Sequence, residues 1–331
     1  MPQQIASPDL SVVICTYNGA QRLPAVLDAL VGQRASEDFS WEVVVVDNGS
    51  TDGTRLIVEA FAASDLLPSL RYVPEPEPGL TAARLGGVRR TAAPWIAFVD
   101  DDNLLEPDWI AAVARAIGSH PDAGGIGGEI RLEWEAPPPA YLRPFGFCFA
   151  EQQVGPAERR ADSLAGAGMV LNREALVASG WVDGPLLSDR TGKSLVSGGD
   201  VEIAQRVRHA GYQLWLTPAA VLRHRIPRER TTRRYLFEIN VQLGISSAVM
   251  GVLTWPGDWR SWRQMAAGER ARWLRTVRRG LFWSALRRRE LTAAVAWACF
   301  ARGYARGVRR CLALGPTERE RLLGAGAARD G

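Results

Sequence analysis

The sequence predicts an α/β fold: a mostly parallel sheet flanked by helices, with a helical appendage at its C-terminal end. Three observations predict it. Short apolar runs alternate with helical patterns about four times in the first 120 residues. The runs are near-continuous Val and Ile, which marks strands covered on both faces. The charge also changes sign along the chain. Residues 1–222 hold 17 basic and 28 acidic side chains and residues 223–331 hold 23 and 8, within a net charge of +4.

The elements follow in order. The run 10–15 is a first strand and ends in the turn Thr16-Tyr17-Asn18-Gly19. A helical pattern comes next, with Leu23, Val26, Leu27 and Leu30 on one face. The run 41–46 is a second strand and leads into the polar segment Asp47-Asn48-Gly49-Ser50-Thr51-Asp52-Gly53. The helix after it is expected to turn Ile57, Ala60 and Phe61 inward. Residues 70–73 make a third, shorter strand, and a helix over about 80–90 leads into the run 95–99, which Pro94 introduces. With right-handed crossovers, Asn18, Asp47 and Asp100 converge on one edge of the sheet. Ligands bind at that edge in open α/β sheets, so a nucleotide site is expected there.

Three consecutive aspartates, Asp100, Asp101 and Asp102, stand directly behind the fourth strand. Carboxylates crowded in this way repel one another unless a cation or protons compensate. Oxygen ligands of this kind suit a hard divalent ion, Mg²⁺ or Mn²⁺, which also holds substrate phosphates. The plain alternative is an acidic loop that starts a helix, because Pro107 and Asp108 read as a first helical turn.

The segments Val12–Asn18, Val45–Gly53 and Phe98–Asp102, with Ser197–Gly211 further on, resemble the successive signatures of family 2 glycosyltransferases of the GT-A fold, a Rossmann-like architecture. The resemblance covers roughly residues 9–225, and it is the order and spacing of four motifs that carry it. It implies that Thr16 and Asp47 contact the base of a nucleotide sugar, with Tyr17, Asn18 and Asn48 in the same donor-binding turns. It places Arg84 near the base or diphosphate, Asp101 as an orienting residue, and Asp100 and Asp102 at the two ends of a metal motif. Two positions depart from the family pattern: Leu85 follows Arg84 where Asn is frequent, and Gly199 precedes Asp200 where Glu is common. The implied division is a catalytic domain over 1–230, with a nucleotide-sugar half at 9–120 and an acceptor half at 121–230, followed by a basic helical region at 231–331.

Inverting transfer from a nucleotide sugar needs charge neutralisation on the leaving diphosphate and one base for the acceptor hydroxyl. Asp200 occupies the base position at the start of a helix whose expected buried stripe is Ile203, Val207 and Ala210. Its ordinary role would be a helix N-cap, and the two roles are compatible. Glu202 stands four residues before Arg206, so a surface ion pair is expected, with a base role ranked below Asp200. His224, in a segment with Arg225, Arg228 and Arg230, is a candidate to complete the metal site or touch the diphosphate; the arginines offer forked donors for phosphate oxygens. His120 and His209 read as structural. Residues 135–144 read as a loop or lid, 163–170 as a Gly-lined strand and 189–195 as a polar loop, with acceptor specificity expected among them.

Composition bounds the rest. Four cysteines without metal spacing point to a reducing compartment, and residues 1–9 carry no apolar signal core, so a cytoplasmic location is expected. Half of the 12 tryptophans fall after residue 254. Around 270–281, Leu274, Val277 and Leu281 share one helical side and Arg272, Arg275 and Arg279 another. That pattern fits a helix in a membrane interface over about 255–310, peripheral on the inner face of the cell membrane. It also fits an appendage with a solvated arginine face. No stretch is expected to span a bilayer: residues 291–301 are too few, and 235–255 carry Glu238 and Asn240.

The expected partners are therefore a nucleotide-sugar donor and a saccharide or lipid-linked acceptor. Two other classes remain. A sugar nucleotidyltransferase would be expected to place a Gly-rich, Lys-containing loop after the first strand, where Thr16–Ala20 stands without lysine. A nucleic-acid-binding module would explain the basic third but not the aspartates, so no nucleic acid is expected.

Overall fold

The computed structural model describes residues 7–67, 69–186, 198–286 and 291–324. The expected strands are present with their boundaries shifted by about a residue: β1 (Leu10–Thr16), β2 (Trp41–Asp47), β3 (Leu70–Pro74) and β4 (Trp95–Asp100). Between them lie α1 (Leu23–Val31), α2 (Thr54–Ala62) and α3 (Leu80–Arg89). Strands β1 to β4 pair in parallel in the order β3-β2-β1-β4. The face of α1 is buried as expected. In α2, however, Thr54 and Val58 take the inward positions, Ile57 and Phe61 pack at the margin, and Ala60 is exposed.

The aspartates do not run straight into a helix. A short strand β5 (Asn103–Leu105) intervenes before α4 (Trp109–Ser119). The remaining strands are β6 (Ala123–Trp134), β7 (Arg159–Ala161), β8 (Met169–Asn172) and β9 (Gln213–Ile226), completing a nine-stranded mixed sheet. Strand β8 is antiparallel to β4, and β5 is antiparallel to β9. The expected strand at 163–170 is thus a loop until Met169, and the expected lid at 135–144 leads into a 3-10 helix over Ala140–Phe149. The polar loop at 189–195 lies outside the described residues.

Two apolar layers sandwich the sheet: one joins α1 and α4 to one face, the other joins α5 (Arg173–Ala178) and α6 (Gly199–His209) to the opposite face. Beyond the sheet come α7 (Arg233–Leu253), α8 (Trp259–Leu286), α9 (Thr292–Ala313) and α10 (Pro316–Gly324). A third core joins α7 and α9 to the 3-10 helix through Leu142, Phe145, Phe149, Leu236, Ile239 and Ala296. The appendage is therefore packed onto the sheet-bearing part. Helix α7 is long and apolar enough, by length and composition alone, to cross a membrane; here half of its apolar stretch is buried inside the protein. On α8, Leu274 does not face inward away from the arginines. It is 51% exposed, beside exposed Arg272, Arg275 and Arg279.

Candidate active site

Strand register assembles the site. In the parallel ladder Thr16 lies opposite Asp47, and Cys15 lies opposite Asp100, so three turns start at one edge. A cleft of about 1020 Å³ opens there, at the top of the roughly 300–1,000 Å³ usual for ligand sites. Thr16, Tyr17, Asn48, Arg84, Asp100, Asp101, Asp102, Asp200, His224 and Arg230 all line it.

The aspartates are held in different ways. Asp101 turns back toward β1: the Thr16 hydroxyl donates to its Oδ2 at 2.6 Å, and Arg22 donates through Nε and Nη2 at 3.0 and 2.7 Å. Burial lifts the Asp101 carboxyl above the ordinary carboxylate range, the charge of Asp102 adds to this, and Arg22 and Thr16 offset it in part. Asp102 accepts from Asn103 Nδ2 at 3.2 Å and from Arg230 Nη1 at 3.2 Å. The β5–β9 pairing sets Asn103 opposite His224, which brings His224 Nε2 to 3.5 Å from Asp102 Oδ1.

On the other side of the ring, His224 Nδ1 lies 2.7 Å from the Phe149 carbonyl oxygen. A carbonyl only accepts, so Nδ1 carries a hydrogen and Nε2 is the nitrogen turned to the cleft. Burial pushes the His224 pKa down, but the charge and hydrogen bond of Asp102 with the Phe149 carbonyl outweigh it, and the net shift is upward.

Asp200 lines the same cleft. It does not cap α6, because Gly198, at φ 130°, takes the N-cap position. Asp200 lies in the first turn, where its carboxylate accepts from the Gly166 N–H at 3.0 Å and from its neighbour Val201 N–H at 2.9 Å. A Cβ on Gly166 would sit 2.9 Å from Asp200 Cβ and 3.0 Å from Arg84 Nη2. The base candidate and the buried Arg84, whose guanidinium lies 5.6 Å over the Phe98 ring, therefore flank the same small space. Glu202 makes no surface pair. It is fully buried, accepts from Arg206 Nη1 at 3.0 Å and from the Leu186 N–H at 2.8 Å, and is removed from the cleft. In the same helix Ala204, not Ala210, joins Ile203 and Val207 in the buried stripe.

Four expected contacts fall outside the cleft lining. Asn18, at φ 49°, uses Oδ1 to accept from the Thr51 N–H at 2.8 Å and so braces the 47–53 loop. Asp47 is buried behind the cleft, accepting from the Ser50 N–H at 2.9 Å and the Tyr72 hydroxyl at 2.7 Å. Arg225 pairs with Glu133 at 3.3 Å, and the Arg228 N–H donates to Glu135 at 2.8 Å. Of the three arginines only Arg230 reaches the carboxylates. Conversely, the sequence reading passed over Arg22, and over the apolar wall of Phe147, Ile239, Leu243 and Met250. Arg22 could have been suspected from its place just after the Thr16–Ala20 turn. The wall comes from elements far apart in sequence and has no local signature.

The donor set suits a hard cation in an open site. Among the described residues no three His, Cys, Asp or Glu side chains converge as a closed metal cage, so the expected trio Asp100, Asp102 and His224 is not a preformed site. Asp100 and Asp102 both line the cleft. One or two carboxylates, completed by substrate phosphates and water, is how Mg²⁺-type ions are commonly bound.

Residues 11–174 match the model of glycosyl transferase family 2. The chain is 44% identical over 112 residues to validoxylamine A glucosyltransferase of Streptomyces hygroscopicus, covering 33% of this chain and 25% of that protein. It is 30% identical to the glycosyltransferase AglE of Haloferax volcanii over 62% of this chain and 64% of that one. The chain thus spans from a quarter to just under two thirds of these relatives. Among solved structures, the mannosyltransferase PcManGT of Pyrobaculum calidifontis, in complex with GDP-Man and Mn²⁺, superposes with a TM-score of 0.55 at 20% identity, covering 97% of this chain and 86% of that one. The architecture is that of the GT-A glycosyltransferases.

Proposed function

Because residues 11–174 match the model of glycosyl transferase family 2, we propose that the chain is an inverting, metal-dependent glycosyltransferase acting on a nucleotide-diphosphate sugar. A UDP-sugar is the donor we favour, and the acceptor is a saccharide or lipid-linked molecule of cell-surface polysaccharide assembly. One observation carries the reading: a single cleft is lined by Asp100, Asp102, His224 and Arg230 and by Asp200, whose carboxylate is held by backbone N–H groups.

In this reading Asp200 removes the proton from the acceptor hydroxyl as that oxygen attacks the anomeric carbon. A new C–O bond forms, the bond to the diphosphate breaks, and the configuration inverts. The Gly166 and Val201 N–H groups aim the carboxylate. Arg230 supplies a forked donor to the departing diphosphate. A divalent cation bound by Asp100 and Asp102, with His224 Nε2 in reach, would neutralise the leaving group. Arg22 and Thr16 tie the Asp101 carboxylate to β1 and fix the loop. The Mn²⁺ and GDP-Man in the similarly folded mannosyltransferase agree with this assignment.

The test separates donor from proton. A thermal-shift screen of nucleotide sugars with Mn²⁺ should find one that stabilises the protein only with metal present. Asp200→Asn should keep that shift and lose turnover by at least about a hundredfold, within the range usual for removing a general base. Asp102→Ala should instead lose the metal-dependent shift. Full turnover in Asp200→Asn would remove it as the base.

A further inference from the structure

The cleft does not stop at the carboxylates. It continues into a largely apolar arm lined by Tyr235, Ile239, Leu243, Ser246, Ser247 and Met250 of α7, with Phe147 and Phe300. The first three α7 residues recur every four positions and so share a helix face. Phe147 is 46% exposed at the mouth. It lies 5.9 Å from Trp297, which lies 5.6 Å from Trp273 of α8, both ring pairs near parallel. A diphosphate and a cation are polar, and neither of them uses such a wall.

We propose that this arm holds the hydrocarbon chain of a lipid acceptor, isoprenoid or acyl, whose hydroxyl-bearing head is presented to Asp200. This rests on the glycosyltransferase reading and adds the class of acceptor to it. A glycan laid along the arm would lose water from most of its hydroxyls, since Tyr235, Ser246 and Ser247 offer only three hydroxyls among Ile239, Leu243, Met250, Phe147 and Phe300. A hydrocarbon chain loses nothing and removes its own surface from water. The rim fits the same occupant: tryptophans gather where hydrocarbon meets headgroups. Beside it, Arg272 lies over the Trp273 ring at 5.6 Å, and exposed Arg275 and Arg279 follow on α8, complementary to lipid phosphates.

The probe is dodecyl maltoside, kept below its micelle threshold, against maltose, with the full chain and tryptophan fluorescence as readout. The expected result is saturable binding of the alkyl compound at least about tenfold tighter than maltose, because several methylenes are buried. Leu243→Asp, at a half-buried position, should abolish the difference, and Phe147→Ser should weaken it should Leu243→Asp fail to fold. In the variant that folds, the metal-dependent nucleotide-sugar shift should persist. Equal binding of the two probes, or unchanged alkyl binding in both variants, overturns the proposal. A concentration-dependent dimer that these variants dissolve would assign the arm to a second copy and overturn it as well. Absence of any nucleotide-sugar shift with alkyl binding intact would instead sink the donor reading and leave the chain site standing.

Discussion

Gly166 fixes where Asp200 can sit. Its N–H points the carboxylate, and its missing side chain leaves room for both Asp200 Cβ and the Arg84 guanidinium. Gly166→Ala is expected to push the carboxylate aside, since Asp200 Cβ cannot move without the helix. Overpacking of this kind costs about 1–3 kcal/mol and presses on both neighbours, so kcat should fall about tenfold or more and donor binding should weaken through Arg84; steady-state kinetics beside a donor titration would check it. Tyr72 offers a second test. Burial, then its hydrogen bond to Asp47, pushes the phenol up to about 12 from 10.0. A raised folded-state pKa means stability is intact below the unfolded value and is lost as pH rises from about 10 toward 12. Melting temperature followed over that window should fall more steeply in the wild type than in Tyr72→Phe.

At the scale of elements, the α7–α9 crossing depends on backbone touching backbone. A Cβ on Gly303 would come 2.0 Å from the Val241 carbonyl oxygen, and one on Gly244 would come 2.2 Å from that of Phe300. Gly303→Val should therefore cost roughly 3 kcal/mol or more, because backbone cannot yield as a side chain does. Gly268 on α8 meets nothing within 4 Å, and Gly268→Ala should stabilise by about 0.5–1 kcal/mol. Denaturant midpoints of the two variants should move in opposite directions. These same elements show what the sequence discloses and what it hides. Strands β1, β2 and β4 are readable because buried parallel strands are continuous Val/Ile runs, and their ends locate Thr16, Asp47 and Asp100 without any coordinates. Three-residue β5 is too short to leave a pattern, yet it is what carries His224 to Asp102. The spacing of Glu202 and Arg206 announces their pairing but says nothing of burial. The packing of α7 against the 3-10 helix joins residues about 90 positions apart, as in the 3.6 Å contact between Asn240 and Cys148, and no local period encodes it.

The whole molecule divides its charge between an acidic sheet-bearing part and a basic helical one. Along α8, Arg270, Arg272, Arg275, Arg278 and Arg279 are exposed, and between and beyond them Leu274 and Phe282 are 51% and 62% exposed. A solvated arginine face has no need of large exposed apolar groups, whereas a face that rests on anionic headgroups uses both. Such a face would also bring the mouth of the apolar arm, through Trp273 and Trp297, to the surface from which a lipid acceptor must come. The protein is therefore expected to cosediment with phosphatidylserine-containing vesicles at low salt and to leave them as ionic strength rises, since the attraction falls off within a Debye length. Each basic residue near such a surface contributes about 1 kcal/mol, so Arg275→Glu with Arg279→Glu should weaken binding by about thirtyfold or more. The substitutions lie on the exposed side of α8, so melting temperature should not change. Protein that stays in the supernatant at every salt concentration would return the arginines to a merely solvated face, and would leave the lipid to reach Asp200 from solution rather than from a bilayer.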